Sequence, residues 1–265
     1  MFKGIKCIGL LTLVLVLQLA VSIPVHAAGK PLVVGMELAY PPFEMTDAKG
    51  KPDGVSVQLA YELGKALGRP VEIRNMAFDG LIPALKTGKI DLIISSMTAT
   101  PERAKSIDFS DPYLTTGLCL LAGKNVRGST IVDFDQPGRT IAVKKGTTGH
   151  LYASNNLKKA KVLVLDKEAA AVLEVVQGKA DAFIYDQMST YQNFQRNRDT
   201  TRPILKPFQT ESWAVGIRKG NDELKAKVNR FLFEFRKSGG FGKLGDRYLK
   251  EEKDAFQQLG FPFFL

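Results

Sequence analysis

The chain has 265 residues and 24% charged residues, the balance of a globular protein without collagen-like or disordered bias and long enough for one large or two ordinary domains. Its formal charge of +10 comes without a basic run and without zinc-binding or RNA-binding motifs, which argues against nucleic acid as a partner. Only two cysteines and two histidines are present, and Cys7 and His26 fall in the first 28 residues. The remaining His150 and Cys119 argue against a histidine triad, a multi-histidine metal site and an intrachain disulfide, and nothing calls for a metal or organic cofactor.

Residues 1–28 read as a secretory signal: Lys3 and Lys6 form a positive start, residues 8–21 are apolar, and Val25, Ala27 and Ala28 supply small residues for cleavage. Removing this stretch takes away two lysines and leaves +8. Retention as an anchor is the alternative. Residues 31–36 then predict a short buried strand running into Glu37 and Tyr40, and Pro41-Pro42 fixes an extended loop there. Residues 47–54 are turn-rich. Residues 55–67 predict an amphipathic helix with Leu59, Leu63, Ala66 and Leu67 on one face, closed by Gly68. A strand over 70–74, the Phe78-Asp-Gly80 turn and a helix over 81–86 follow.

Residues 90–103 form the most informative stretch. Leu92, Ile93 and Ile94 predict a parallel strand buried on both faces. The strand ends in three hydroxyls, Ser95, Ser96 and Thr98. A helix start follows, with Thr100 as cap, Pro101 at the first position and Arg103 one turn in. Free amides, a helix dipole and a guanidinium there suit a small anion. Alternatively, Arg103 is solvated or pairs with Glu102.

Residues 108–113 read as turn chemistry, 114–123 as an extended apolar segment and 124–138 as a domain crossing. Strands are predicted over 140–143 and 161–165, and a helix over 167–176. Gly178-Lys-Ala-Asp181 and the apolar run after it then repeat Gly88-Lys-Ile-Asp91 and its strand, ninety positions on. The repeat predicts two lobes of similar α/β construction and aligns Ser95 and Ser96 with Tyr185 and Asp186. Residues 211–218 predict a strand that crosses back. Residues 221–238 predict a long amphipathic helix, and the apolar residues 261–265 end the chain.

In open parallel sheets, ligands bind beyond the C-terminal strand ends. Glu37, Tyr40, Phe78, Ser95 to Arg103, Lys144 to Thr148, Tyr185 and Asp186 all fall at such ends. Arg103 with Ser96 and Thr98 suits a carboxylate, Asp186 suits an ammonium, and Tyr40 and Phe78 suit the walls around a short stem. That set describes an α-amino acid. Each residue also has a plainer use: Tyr40 and Phe78 as core aromatics, Asp186 as a helix cap, Lys144 as a solvated charge.

Tyr40-Pro-Pro-Phe43, Phe78-Asp-Gly-Leu-Ile-Pro83, Met97-Thr-Ala-Thr-Pro-Glu-Arg103, Ile107-Asp-Phe-Ser-Asp-Pro-Tyr113 and the two Gly-Lys-x-Asp turns carry a resemblance. The mature chain resembles the polar amino-acid solute-binding proteins of bacterial ABC importers, which include glutamine-, histidine- and lysine/arginine/ornithine-binding members. The resemblance implies an α/β, two-lobe, type II periplasmic-binding-protein fold, each lobe a mainly parallel sheet flanked by helices, joined by two hinge strands. The implied division is residues 29–118 and 213–265 for one lobe and 119–212 for the other. It further implies that Arg103, Ser96, Thr98 and the Thr148 backbone take the ligand α-carboxylate. Asp186 and the Ser95 carbonyl would take the ammonium, Tyr40 and Phe78 would clamp the stem, and Lys144 would reach the side chain.

Two positions depart from the family pattern. Glu37 stands where many members have aspartate, and Tyr185 where glutamine-type members can have histidine. Glu37 suits a cationic side chain, Lys144 an amide or carboxylate, and the two can also neutralise each other. The implied partners are an amino acid and the membrane subunits of an ABC permease, for a monomer outside the cytoplasm. The alternatives are a cyclohexadienyl-dehydratase-like enzyme with Glu37 as general acid, and a sensory module reporting to a separate receptor.

Overall fold

The apolar runs pair into two five-stranded sheets in the computed structural model of the chain, which describes residues 29–261. The expected leader, and the terminal tail past Phe261, lie outside the described residues. The first sheet has the order Val71–Asn75, Leu32–Met36, Leu92–Ile93, Gly216–Ile217, Asp108–Phe109. Its first three strands run parallel, and the last two join antiparallel. The second sheet has the order Lys161–Leu165, Thr140–Lys144, Ala182–Asp186, Leu114–Gly123, Thr201–Trp213. It has the same plan, three parallel strands and then two antiparallel ones. The molecule is a two-lobe α/β protein of the type II periplasmic-binding-protein class.

The repeated Gly-Lys-x-Asp segment has one structural meaning in both lobes. Gly88 (φ 75°) and Gly178 (φ 70°) end the preceding helices in the left-handed conformation that glycine adopts without steric cost. Asp91 then accepts from the backbone N–H of Val33 at 3.1 Å and from the Arg69 guanidinium at 3.1 Å. Asp181 accepts from the N–H of Thr140 at 2.8 Å and from Arg139 at 2.5 Å. In each lobe an aspartate ties the start of its own strand to the start of the neighbouring one.

Three expectations are corrected. Residues 108–113 contain a short strand, Asp108–Phe109, because Gly216 and Ile217 supply an antiparallel partner. Residues 124–138 are not a crossing. Lys124 N–H donates to Thr200 at 2.8 Å, and Arg202 reaches the carbonyls of Val126 and Gly128, so the segment is held on the second sheet. The passage between lobes is made instead by the long strands, where Leu114–Leu118 pairs with Gln209–Trp213. Ala66 is exposed at the end of the Val55–Ala66 helix, whose buried face runs through Val55, Leu59, Ala60 and Leu63.

The first lobe packs the Val55–Ala66 and Asp222–Lys237 helices on a core that includes Leu32, Val34, Phe43, Leu92 and Trp213. The Asp222–Lys237 helix is capped by Asn221, which accepts from Leu224 N–H at 3.2 Å. The second lobe's core includes Leu118, Leu120, Phe134, Ile141, Val143 and Ile184. Among the described residues, no helix is long and apolar enough to cross a membrane.

Candidate ligand-binding cleft

The parallel strands of the two sheets end toward one another, and all eleven residues picked from the sequence line the cleft between them: Glu37, Tyr40, Phe78, Ser95, Ser96, Thr98, Arg103, Lys144, Thr148, Tyr185 and Asp186. Glu37 and Tyr40 follow the Leu32–Met36 strand. Residues 40–44 do not run extended. They close on themselves, with Tyr40 and Glu44 exchanging backbone hydrogen bonds at 2.9 and 3.0 Å. The double proline thereby puts a tyrosine and a glutamate side by side at the cleft wall.

Arg103 is buried. Thr100 caps its helix as expected, accepting from the Arg103 N–H at 3.2 Å. The guanidinium donates to the Thr98 carbonyl of its own lobe at 2.7 Å and to the Gly146 carbonyl of the other lobe at 3.0 Å. It also lies over the Phe78 ring, 5.4 Å from the centroid. Burial lowers its pKa to about 10, partly offset by the nearby Glu211 carboxylate, so it is cationic at neutral pH. Facing it, the Thr148–Asn156 helix begins at the cleft, capped by Thr147. The first amides of an α-helix have no intrahelical acceptor, so this end of the cleft carries N–H donors as well as a guanidinium. Gly149 makes the approach possible, because a Cβ there would meet the Ile184 carbonyl oxygen at 2.8 Å.

Asp186 ends the Ala182–Asp186 strand and also caps the Gln187–Arg196 helix. Its Oδ1 accepts from the N–H groups of Met188 and Ser189 at 3.0 and 3.1 Å. Across the cleft, the same oxygen receives the Tyr40 hydroxyl at 2.6 Å. The cap reading and the cleft reading therefore both hold. Burial pushes this carboxyl up to about 7, against the lowering effect of the Tyr40 bond. Burial also raises the hydroxyls of Tyr40 and Tyr185 well above the ordinary phenol value. Tyr185 stacks on Phe183 and meets Tyr40 edge-on, so it forms wall rather than a charged contact.

Glu37 and Lys144 form an ion pair across the cleft, the neutralising arrangement among those open to them. Lys144 is buried and lies over the same Phe78 ring as Arg103, 5.6 Å from its centroid. A Glu37 carboxylate engaged by an ammonium is poorly placed to serve as a general acid.

Six further residues line the cleft that sequence reasoning did not select, among them Glu44, Glu211 and Trp213. They change the reading of the hydroxyls. Ser96 donates to Glu44 Oε2 at 3.0 Å, and Ser95 accepts from the Glu37 N–H at 3.0 Å. Thr98 donates to Glu211 Oε2 at 3.0 Å, and Thr148 donates to the same oxygen at 2.9 Å. The hydroxyl protons of Ser96, Thr98 and Thr148 are thus directed at carboxylates of the protein. The donors left for an anion are Arg103 and backbone amides. Burial holds Glu44 up at about 8, with the Ser96 bond and Lys144 acting in the lowering direction. Ser96 itself has φ 48°, the left-handed region that non-glycine residues rarely occupy. Trp213 meets Tyr40 and Phe43 edge-on at 6.0 and 4.9 Å and backs the aromatic wall.

The family model described as bacterial extracellular solute-binding proteins, family 3, matches residues 32–251. An L-arginine-binding protein of Pseudomonas aeruginosa is 33% identical over 242 residues, covering 86% of this chain and 91% of that protein. A binding component of an ABC transporter from Wolinella succinogenes, solved with lysine, superposes with a TM-score of 0.78 at 35% identity and covers 83% of this chain and 95% of that one. The ancestral amino acid-binding protein AncCDT-1, a precursor of cyclohexadienyl dehydratase, superposes with a TM-score of 0.76 at 37% identity, with 83% and 95% covered.

Proposed function

Because the chain belongs to the bacterial extracellular solute-binding proteins of family 3 and is similar to an L-arginine-binding protein, we propose that its cleft captures a polar L-amino acid outside the cytoplasm and delivers it to the membrane subunits of an ABC importer. One observation carries the reading. A buried guanidinium, Arg103, and a buried carboxylate, Asp186, line one cleft from opposite lobes. Arg103 and the first amides of the Thr148–Asn156 helix take the ligand carboxylate, Asp186 takes the ammonium, and Tyr40 and Phe78 hold the stem. The signal at residues 1–28 directs export, the protein acts as a monomer, and the lobes close by bending at the paired segments Leu114–Leu118 and Gln209–Trp213.

The ligand side chain meets the Glu37–Lys144 pair. A neutral group with both a donor and an acceptor satisfies both members and leaves neither charge without its counterion. A second reading, a cationic amino acid, is favoured by Glu37, whose carboxylate lines the cleft and can engage a basic side chain in place of Lys144. A thermal-shift screen against the proteinogenic amino acids, with ornithine, citrulline, cystine, prephenate and arogenate, tests both. A ligand at a hundred times its Kd stabilises by about 2.7 kcal/mol. Shifts confined to neutral polar amino acids support the first side-chain reading, and shifts confined to basic ones the second. No shift with any amino acid refutes the function.

A further inference from the structure

Glu211 lies on the hinge rather than in either lobe's receptor. It sits in the Thr201–Trp213 strand opposite Thr116, within the paired segment that joins the lobes, and is only 5% exposed. Its Oε2 accepts from Thr98 Oγ1 of the first lobe at 3.0 Å and from Thr148 Oγ1 of the second at 2.9 Å. Its Oε1 accepts from Gln209 Nε2 at 3.1 Å. One carboxylate therefore joins both lobes and the hinge strand. Each threonine hydroxyl has a single proton to give. A rotation that separates the lobes carries Thr98 and Thr148 apart, and one oxygen cannot follow both. The bridge exists only in the closed arrangement.

We propose that Glu211 is a positioning residue that couples hinge bending to ligand capture: its carboxylate stabilises closure by holding Thr98 and Thr148 together beside Arg103. The proposal rests on the amino-acid-capture reading for its link to ligand, but the bridge itself can be tested without ligand. A ligand that needs the closed form is bound more weakly in proportion to the loss of that form.

The test compares wild type, Glu211→Ala and Glu211→Gln, with melting temperatures confirming that each is folded. Small-angle scattering gives the radius of gyration, and calorimetry gives the Kd for L-glutamine and L-arginine as probes. Glutamine at 211 keeps an oxygen that can receive both threonine hydroxyls, whereas alanine removes the bridge. At saturating probe, wild type and Glu211→Gln should reach the same compact radius, with affinities within about threefold. Glu211→Ala should stay more expanded and bind about tenfold or more weakly. A Glu211→Ala protein that closes and binds like wild type overturns the proposal. So does tighter binding by either variant, which would make Glu211 a competitor of the ligand carboxylate. If no amino acid binds wild type, the functional reading fails separately. Scattering without ligand then decides: a larger radius for Glu211→Ala supports the bridge, and an unchanged radius refutes it.

Discussion

Asp186→Asn should stabilise the protein and weaken its binding. The asparagine oxygen can still receive the three bonds that Oδ1 receives now, from Tyr40, Met188 and Ser189. Asparagine is also about as good a helix cap as aspartate. What changes is the charge. Burial moves the Asp186 carboxyl from its ordinary 3.8 to about 7. Between these values the folded protein holds a proton that the unfolded chain has released, so stability falls as pH rises, by ~1.4 kcal/mol per pH unit. The cost is absent below about pH 4 and full above about pH 7, where it reaches an upper bound of about 4 kcal/mol. The asparagine variant escapes it. Its stability advantage over wild type should widen by about 3 kcal/mol between pH 5 and pH 8, roughly 6–12 °C in Tm for a domain of this size. Scanning calorimetry of both proteins across that range measures it, and two Tm profiles that run parallel would refute the reasoning. Ligand affinity should move the other way, by about 2–5 kcal/mol, because the ammonium loses its counter-charge. Unchanged affinity would remove Asp186 from the receptor.

Arg103→Ala should cost amino-acid binding about 2–5 kcal/mol by calorimetry, since it also frees the Thr98 and Gly146 carbonyls it now joins across the cleft; retained affinity would place the carboxylate elsewhere. Wild-type affinity should fall up to about tenfold per pH unit below pH 7, as Asp186 must release a proton to meet an ammonium. Glu44→Gln should raise Tm at pH 9 and leave it nearly unchanged at pH 4, the sign expected of a carboxyl raised from 4.5 to about 8. Gly149→Ala should lower both stability, by about 1–3 kcal/mol, and affinity, because its methyl would press the Ile184 carbonyl and displace the helix start. Denaturant titration and calorimetry of that variant separate the two effects.

The parallel half of each lobe was legible because strands buried on both faces are written as unbroken apolar runs, such as Leu92, Ile93 and Ile94. The Arg103 helix start was legible because its cap and proline are local chemistry. The long Thr201–Trp213 strand was hidden by Pro203 and Pro207. Pro207 falls where the ladder slips register between Ile204 and Gln209, and Pro203 pairs with Leu121 on a strand at the edge of its sheet. The Gln187–Arg196 helix was hidden because its buried face is largely polar: Gln187, Ser189, Thr190 and Asn193. In the cleft, residues at strand ends could be found by one topological rule. Glu211 could not, because its partners are 113 and 63 positions away and no spacing encodes them. Glu44 directly follows a recognised motif, four residues past Tyr40. Only the closed turn reveals that its side chain faces the cleft beside that tyrosine.

The paired aspartate ties at Asp91 and Asp181 have an evolutionary consequence. Both sit where the parallel strands begin, at the edge of each sheet opposite the cleft. The anchoring of each lobe is thus separated by the length of a strand from the residues that line the cleft. Substitutions at the strand ends can reshape the cleft lining without touching these ties. A scaffold divided in this way offers natural selection a surface to rewrite and a base to leave alone.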